Sequence, residues 1–108
     1  MSLATHMRVS AALVACHARG EGAYVARKGD RTAGALLIRH AHPGGAATLY
    51  ARRYTMENEA EWQPVNADAP LPDAEIDAMI AKRAADDPDL WVIEVETRDI
   101  GAILRAAE

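Results

Sequence analysis

Apolar side chains recur at helical spacing in three segments of the chain. In residues 8–19 they stand at positions i, i+3, i+4 and i+7, which predicts a helix closed by Gly20. A second stripe predicts a helix over residues 73–85, and Pro88 prevents it from continuing. Residues 100–107 carry a shorter stripe, so we expect a third helix at the end of the chain.

Between the first two helices the pattern changes to short strand-like runs. Three runs, at 23–28, 34–41 and 46–54, are separated by Gly-Asp and Pro-Gly-Gly turns, which predicts a three-stranded antiparallel meander. A weaker run at 61–66 predicts a short edge strand, the place where a proline is tolerated. The nearly continuous apolar run at 90–97 is typical of a central strand covered on both faces.

These elements predict an α+β fold in a single domain spanning residues 8–108. We expect a mainly antiparallel sheet, built of the meander and a central C-terminal strand, packed with two or three helices. Residues 1–7 are interpreted as a leader that derives in part from the expression vector. The composition, 50% hydrophobic and 26% charged, excludes an intrinsically disordered chain.

The single cysteine and the absence of long apolar runs indicate a cytoplasmic protein. Cys16 has no second cysteine with which to form a disulfide, and its place on an apolar stripe predicts a small buried side chain. No apolar run approaches the roughly 18–20 residues that a membrane span needs. We also find no signal-peptide pattern, so a membrane partner is not expected.

The formal net charge of −4 conceals a strong asymmetry. Residues 1–54 hold eight Lys or Arg and two Asp or Glu. Residues 55–108 hold four Lys or Arg and fourteen Asp or Glu. Such a division can mark an anionic partner for the basic half. The alternative is that the two halves fold against each other and neutralise each other within one domain.

Side-chain alternation along the meander predicts a polar surface on one open sheet face. Tyrosines interleaved with cations can stack bases and neutralise phosphates, which would suit single-stranded nucleic acid. The alternative is ordinary cross-strand packing beside Glu94 and Glu96. The acidity of the chain and the lack of a glycine–aromatic RNA-binding motif make nucleic acid the less favoured interpretation. The residues of this surface are Tyr24, Lys28, Arg39, Tyr50, Arg52 and Tyr54.

His40 and His42 alternate along a strand, so both imidazoles could reach one metal ion. The alternative is a pair of solvated histidines beside a hairpin turn, because no HExxH or CxxC spacing supports a metal site. A third ligand would have to be one of Asp30, Glu94, Glu96 and His17.

Glu94 and Glu96 form an acidic pair that can bind magnesium or perform acid–base chemistry when burial separates their pKa values. The alternative is that they neutralise arginines across the sheet. The chain lacks the GxGxxG, GxxxxGK[ST] and GxSxG motifs, so we predict no catalytic residues and no cofactor. Trp62 is either an interface anchor or a packed side chain.

Three blocks of the sequence together resemble a known family. They are the 9–18 helix with Gly20, the turn at 28–38, which contains Gly29, Asp30 and Gly34, and the 87–96 block, which begins Asp-Pro-Asp-Leu-Trp. The chain resembles the small alphaproteobacterial domain-of-unknown-function family fourteen-ninety-one (DUF1491) over residues 8–99. The resemblance implies one compact domain in a bacterial cytoplasm and assigns no activity. The helix after Asp99 departs from the family pattern.

We therefore expect a non-enzymatic interaction module, with a homodimer or another protein as its partner. The dimer would form through sheet edges or a paired sheet face, because the charge asymmetry can be self-complementary between two copies. One alternative is a small metal-dependent hydrolase or nuclease-like enzyme that uses His40, His42, Asp30 or the acidic pair. The other is nucleic-acid binding by the polar surface.

Overall fold

The computed structural model of the protein describes residues 3–57, 59–66 and 69–108, so the first two residues of the predicted leader lie outside it. Within these ranges the chain forms three helices and six strands. The helices are α1 (Thr5–Ala18), α2 (Asp73–Asp86) and α3 (Ile100–Ala106). The strands are β1 (Gly22–Arg27), β2 (Leu36–His42), β3 (Ala46–Tyr54), β4 (Ala60–Pro64), β5 (Leu71–Pro72) and β6 (Trp91–Glu96).

Helix α1 begins at Thr5, three residues before the start that the apolar stripe predicts. The Thr5 backbone N–H donates to the Thr32 carbonyl at 3.1 Å, and its hydroxyl donates to the Gly34 carbonyl at 2.6 Å. These bonds fasten the first turn of the helix to a loop that is distant in sequence, a contact that periodicity cannot show. The helix is closed by Gly20, whose φ of 73° is the left-handed conformation that glycine adopts readily.

The sheet is mixed, with the strand order β1-β6-β2-β3-β4, and β5 pairs with β3. Strand β6 lies in the interior of the sheet, as predicted, antiparallel to β1 and parallel to β2. The predicted meander of the first three strands is wrong, because β6 separates β1 from β2. The loop between β1 and β2 is long enough to cross a strand. An antiparallel meander does occur, formed by β2, β3 and β4.

Helices cover both faces of the sheet. We call these the α1/α3 face and the α2 face after the helices that pack on them. The core of the first face consists of Val9, Ala12, Cys16, Leu36, Ile38, Trp91, Ile93, Val95, Ile103 and Ala107. The core of the second consists of Leu37, Ala47, Leu49, Ala51, Ile76, Leu90 and Val92. The unbroken apolar run of β6 follows from this arrangement, since its side chains enter the two cores alternately.

The hairpin between β2 and β3 sets which side chains share a face. Its three-residue loop places Ile38 opposite Tyr50 and Arg39 opposite Leu49. The predicted polar surface assumes that Ile38 and Leu49 lie on the same face. In the observed register Ile38 shares a face with Tyr50 instead. Because the side-chain period of a strand is two, this difference of one residue between the expected and the observed register places every β3 side chain on the face opposite to the one expected.

The loop between β1 and β2 locks onto the segment before β6. The Asp30 backbone N–H donates to the Asp89 carbonyl at 3.0 Å, and the Trp91 indole N–H donates to the Asp30 carbonyl at 2.6 Å. A Cβ atom at Gly29 or at Gly34 would collide with the Asp89 carbonyl oxygen. Both glycines are therefore required by close backbone approach.

No helix among the described residues has the length and apolar character needed to cross a bilayer.

Candidate functional site

The polar side chains predicted to share one open face are divided between the two faces of the sheet. This correction follows from the register of β2 and β3 and from the helices that cover both sides. Lys28 lies just beyond the end of β1. The α2 face carries Tyr24 and Arg39, and the α1/α3 face carries Tyr50, Arg52 and Tyr54.

Arg39 is the centre of an ion-pair cluster on the α2 face, where it is only 9% exposed. Its guanidinium contacts Asp73 at 2.8 Å and Asp77 at 2.5 Å, both from the first two turns of α2. Its Nε lies 3.3 Å from Glu94 of β6, an ion-pair distance without hydrogen-bond alignment. Burial lowers the pKa of Arg39, but the hydrogen bonds with Asp77 and then Asp73 more than offset it, so the pKa is raised.

Tyr24 joins the same cluster from the edge of the sheet. Its hydroxyl donates to Glu94 Oε2 at 2.9 Å, and this hydrogen bond is the main reason that the pKa of Tyr24 is raised. Glu96, opposite Gly22, is exposed and lies two residues farther along the strand. Three of the predicted residues, Tyr24, Arg39 and Glu94, therefore meet in one groove of about 590 Å³. The acids of this groove are paired with Arg39 or accept the Tyr24 hydroxyl, so none of them is placed as a free base.

A second cleft, of about 740 Å³, lies where β3 extends beyond its pairing with β2. We call it the arginine cleft. Its cationic lining residues are Arg8 of α1, Arg52 of β3 and Arg83 of α2, and Tyr54 lies at its edge, 77% exposed. None of the described residues that line it is Asp or Glu.

Two guanidiniums of this cleft lie over Trp62, with the Cζ atom of Arg8 5.9 Å and that of Arg52 6.0 Å from the ring centroid. Arg8 Nε donates to the Ala107 carbonyl at 2.9 Å. Burial, and then the charge of Arg52, lower the pKa of Arg8. Trp62 itself is partly buried against the core of the α1/α3 face. Sequence patterns gave no signal for this group, because its members come from elements far apart in the chain.

His40 and His42 lie with their ring centroids 4.4 Å apart. Their Nε2 atoms are each within 3.0 Å of an oxygen, the Thr97 carbonyl for His40 and the Thr48 hydroxyl for His42. Burial, and then the charge of His40, lower the pKa of His42. In residues 3–57, 59–66 and 69–108 no group of three or more His, Cys, Asp and Glu is placed to hold a metal ion.

Asp30, considered above as a third metal ligand, is occupied within its own turn. Its carboxylate accepts hydrogen bonds from the backbone N–H groups of Thr32 at 3.1 Å and Ala33 at 2.9 Å. Both hydrogen bonds lower the pKa of Asp30, and the one from Ala33 contributes most. The structure thus places Asp30, with Gly29 and Gly34, in the loop that locks onto Asp89.

Glu21 is a polar residue that the sequence reasoning did not single out. Its carboxylate accepts hydrogen bonds from the Thr97 hydroxyl at 2.5 Å and the Arg98 N–H at 2.9 Å, and it pairs with Arg19 at 2.8 Å. The bond from Thr97 contributes most to lowering the pKa of Glu21 to about 2. Glu21, the residue before β1, is thereby hydrogen-bonded to the segment that follows β6.

These features define a small α+β domain with a mixed sheet between helical layers and two polar clefts. The chain belongs to the DUF1491 family, described as proteins of unknown function, whose model matches residues 3–105. This confirms the resemblance found in the sequence.

Solved structures of similar proteins share the whole fold. A crystal structure of a DUF1491 family protein from Caulobacter crescentus CB15 is 33% identical, with 95% of each chain covered and a TM-score of 0.82. A solution structure of a protein from A. tumefaciens is 32% identical, covering 96% of this chain and 93% of that one, with a TM-score of 0.81. A comparison with curated proteins finds no match.

Proposed function

We propose that the protein is a non-enzymatic interaction module that forms a homodimer by pairing the β1 strands of two copies. The observation that carries this proposal is the position of β1, which is the last strand of the described sheet on that side. Tyr24 is 55% exposed and Val25 is 39% exposed, and they lie on opposite faces of the strand. Edge strands with exposed apolar side chains tend to pair with another chain.

The side chains of β1 favour a second copy as the occupant of this edge. An antiparallel pair related by a two-fold axis at Tyr24 places Val25 of one copy opposite Ala23 of the other, so apolar side chains meet across the contact. Such an isologous contact is self-complementary and closes at two subunits. The bulge between Val25 and Arg27 limits the pairing to the first part of the strand.

The opposite edge of the sheet is less suited to pairing. Strand β4 ends in Pro64, which has no N–H to donate, and carries the exposed charge of Glu61. These are the usual features that keep an edge strand from associating. We therefore assign the dimer contact to β1.

The oligomeric state tests this proposal. Light scattering coupled to size exclusion over a concentration series should give a dimer for the unaltered chain and a monomer for Val25→Lys. The matched control is Val14→Lys on α1, where the side chain is 66% exposed and lies away from the edge. A monomer at every concentration would contradict the proposal, as would equal dissociation of both variants.

We further propose that the module acts in the cytoplasm. Cys16 is a free, buried thiol, which suits a reducing compartment. Immunodetection in fractionated bacterial cells should find the protein with cytoplasmic markers, and recovery with periplasmic or membrane markers would contradict this location.

A further inference from the structure

We propose that the arginine cleft binds the phosphoryl group of a small phosphate ester, with Arg8 and Arg52 as its main ligands and Arg83 at the rim. This site is separate from the β1 edge, so it does not depend on the dimer. It rests on three observations about charge, an unpaired donor and size.

The first observation is an excess of positive charge that the fold leaves uncompensated. Elsewhere in the described chain, Arg39 contacts three carboxylates and Arg19 contacts Glu21. By contrast, no carboxylate of the described residues lies within 4.0 Å of the Arg8, Arg52 or Arg83 guanidinium. Other arginines of the described chain also lack a carboxylate partner, but Arg8, Arg52 and Arg83 line one cleft, where their positive charges together favour an anion.

The closeness of Arg8 and Arg52 is further support for an anion in the cleft. Arg8 and Arg52 lie over the same indole ring, so their charges repel each other in a partly desolvated position. Burial and the Arg52 charge lower the pKa of Arg8, as expected for a cation held beside another cation. A dianion between them would turn this repulsion into attraction, which a monoanionic carboxylate would do only in part.

The second observation is a donor of the cleft that lacks an acceptor. Arg52 lines the cleft, and its Nε is shielded from solvent and has no hydrogen-bond partner among the described residues; among the arginines this holds also for Arg27 Nε and Arg39 Nε, which lie outside the cleft. Buried donors of this kind are rare in native proteins, because an unmade hydrogen bond costs free energy. Phosphate oxygens are strong acceptors and suit the planar fork of a guanidinium.

The third observation is size. The cleft of about 740 Å³ falls within the range of roughly 300–1,000 Å³ that is usual for small-molecule sites. A nucleic acid would need a basic track that continues beyond the cleft, but the α1/α3 face beside it is covered by helices. The exposed ring of Tyr54 at the edge provides an apolar surface for the organic part of the ester.

The test uses the full chain with inorganic phosphate, glycerol 3-phosphate and succinate, each titrated by calorimetry at pH 8 against sodium chloride of equal ionic strength. We expect both phosphates to bind, to raise the thermal midpoint and to bind more tightly than succinate. Arg52→Gln should weaken glycerol 3-phosphate at least tenfold, since one charge-assisted contact is lost.

Arg53→Gln is the matched control, because Arg53 is the next residue on β3 and points to the opposite face. It removes the same charge and should change the affinity less than twofold. Arg83→Gln, at an exposed position, is a second cleft variant whose binding can be measured if Arg52→Gln unfolds. It should weaken glycerol 3-phosphate threefold or more.

Several results would overturn the proposal. These are the absence of any phosphate effect beyond that of sodium chloride, equal losses in the Arg53→Gln and cleft variants, tighter binding of succinate, and tighter binding of a single-stranded oligonucleotide. The dimer variant Val25→Lys should retain phosphate binding, which separates this proposal from the one on oligomeric state.

Discussion

Gly34 illustrates how a single residue is constrained by a neighbour distant in sequence. It is buried against the Asp89 backbone, and its own carbonyl accepts the Thr5 hydroxyl at the start of α1. A sequence pattern marks this glycine as part of a turn. The structure shows that the constraint is the space available to a Cβ atom.

We expect Gly34→Ala to lower the free energy of unfolding by about 1–3 kcal/mol, because the added methyl group would force the Asp89 carbonyl away. Urea denaturation followed by tryptophan fluorescence measures the change. Gly22→Ala is the control, since a Cβ at Gly22 meets no atom within 4 Å. Equal stability of Gly34→Ala and the unaltered chain would show that the loop can move away at little cost.

Sequence reasoning predicted the ion-pair partner of an arginine when that partner lay on a neighbouring strand of the sheet. It did not predict partners that lie on a helix packed against the sheet. It anticipated that Glu94 could neutralise an arginine across the sheet, and Arg39 is that arginine. It did not anticipate Asp73 and Asp77, whose approach depends on how α2 crosses the sheet. Helix packing leaves no signal in the spacing of charges along the chain.

Among the elements, the second helix and the last strand were predicted most accurately. Helix α2 (Asp73–Asp86) and strand β6 (Trp91–Glu96) match the predicted 73–85 and 90–97 to within one residue. Strong periodicity and a nearby proline mark their ends. Strand β5 was missed, because two residues that include a proline carry no pattern of their own. The neighbours of β1 were wrong, because loop sequence alone does not tell whether a loop crosses a strand.

Glu21 connects the start of β1 to the end of β6, so its ionisation should affect how these strands are held together. Its pKa is about 2 in the folded chain and about 4.5 for an unperturbed side chain. The stabilisation is therefore fully present above pH 4.5 and is lost as the pH falls toward 2. The Glu21→Gln variant, which cannot ionise, lacks this contribution.

We expect the urea midpoints of Glu21→Gln and the unaltered chain to differ most near pH 6 and the difference to shrink steadily as the pH is lowered from 4.5 toward 2. Urea melts at several pH values measure this. Glu61→Gln, an exposed glutamate on β4, controls for the general effect of removing a carboxylate. A constant difference between Glu21→Gln and the unaltered chain over the whole range would contradict the assignment.

At the scale of the whole molecule, some basic residues of the first half of the chain are paired with acids of the second half and others are not. The ion pairs of Arg39 join a basic residue of the first half to acids of the second half, so the two halves do neutralise each other there. Arg8 and Arg52 also belong to the first half but meet no described carboxylate. The asymmetry alone cannot separate these cases, because they depend on which side chains the fold brings together.

The sheet as a whole depends on a strand that comes late in the chain. β6 is the only strand of the described sheet that pairs with β1, and it also contributes to both cores. A chain that ends at Asp89 should therefore lose cooperative unfolding, which far- and near-ultraviolet circular dichroism during urea titration can measure. A chain that lacks only the exposed Glu108 should remain cooperative. Native-like cooperativity in the chain that ends at Asp89 would contradict this dependence.

The contact of Gly29 and Gly34 with Asp89 has a consequence for how the family diverges. A larger residue at either glycine is acceptable only if the backbone at position 89 shifts, so these two parts of the chain should change together during evolution. They are also two of the blocks on which the family resemblance depends. A search for remote homologues should therefore require both blocks in the same chain.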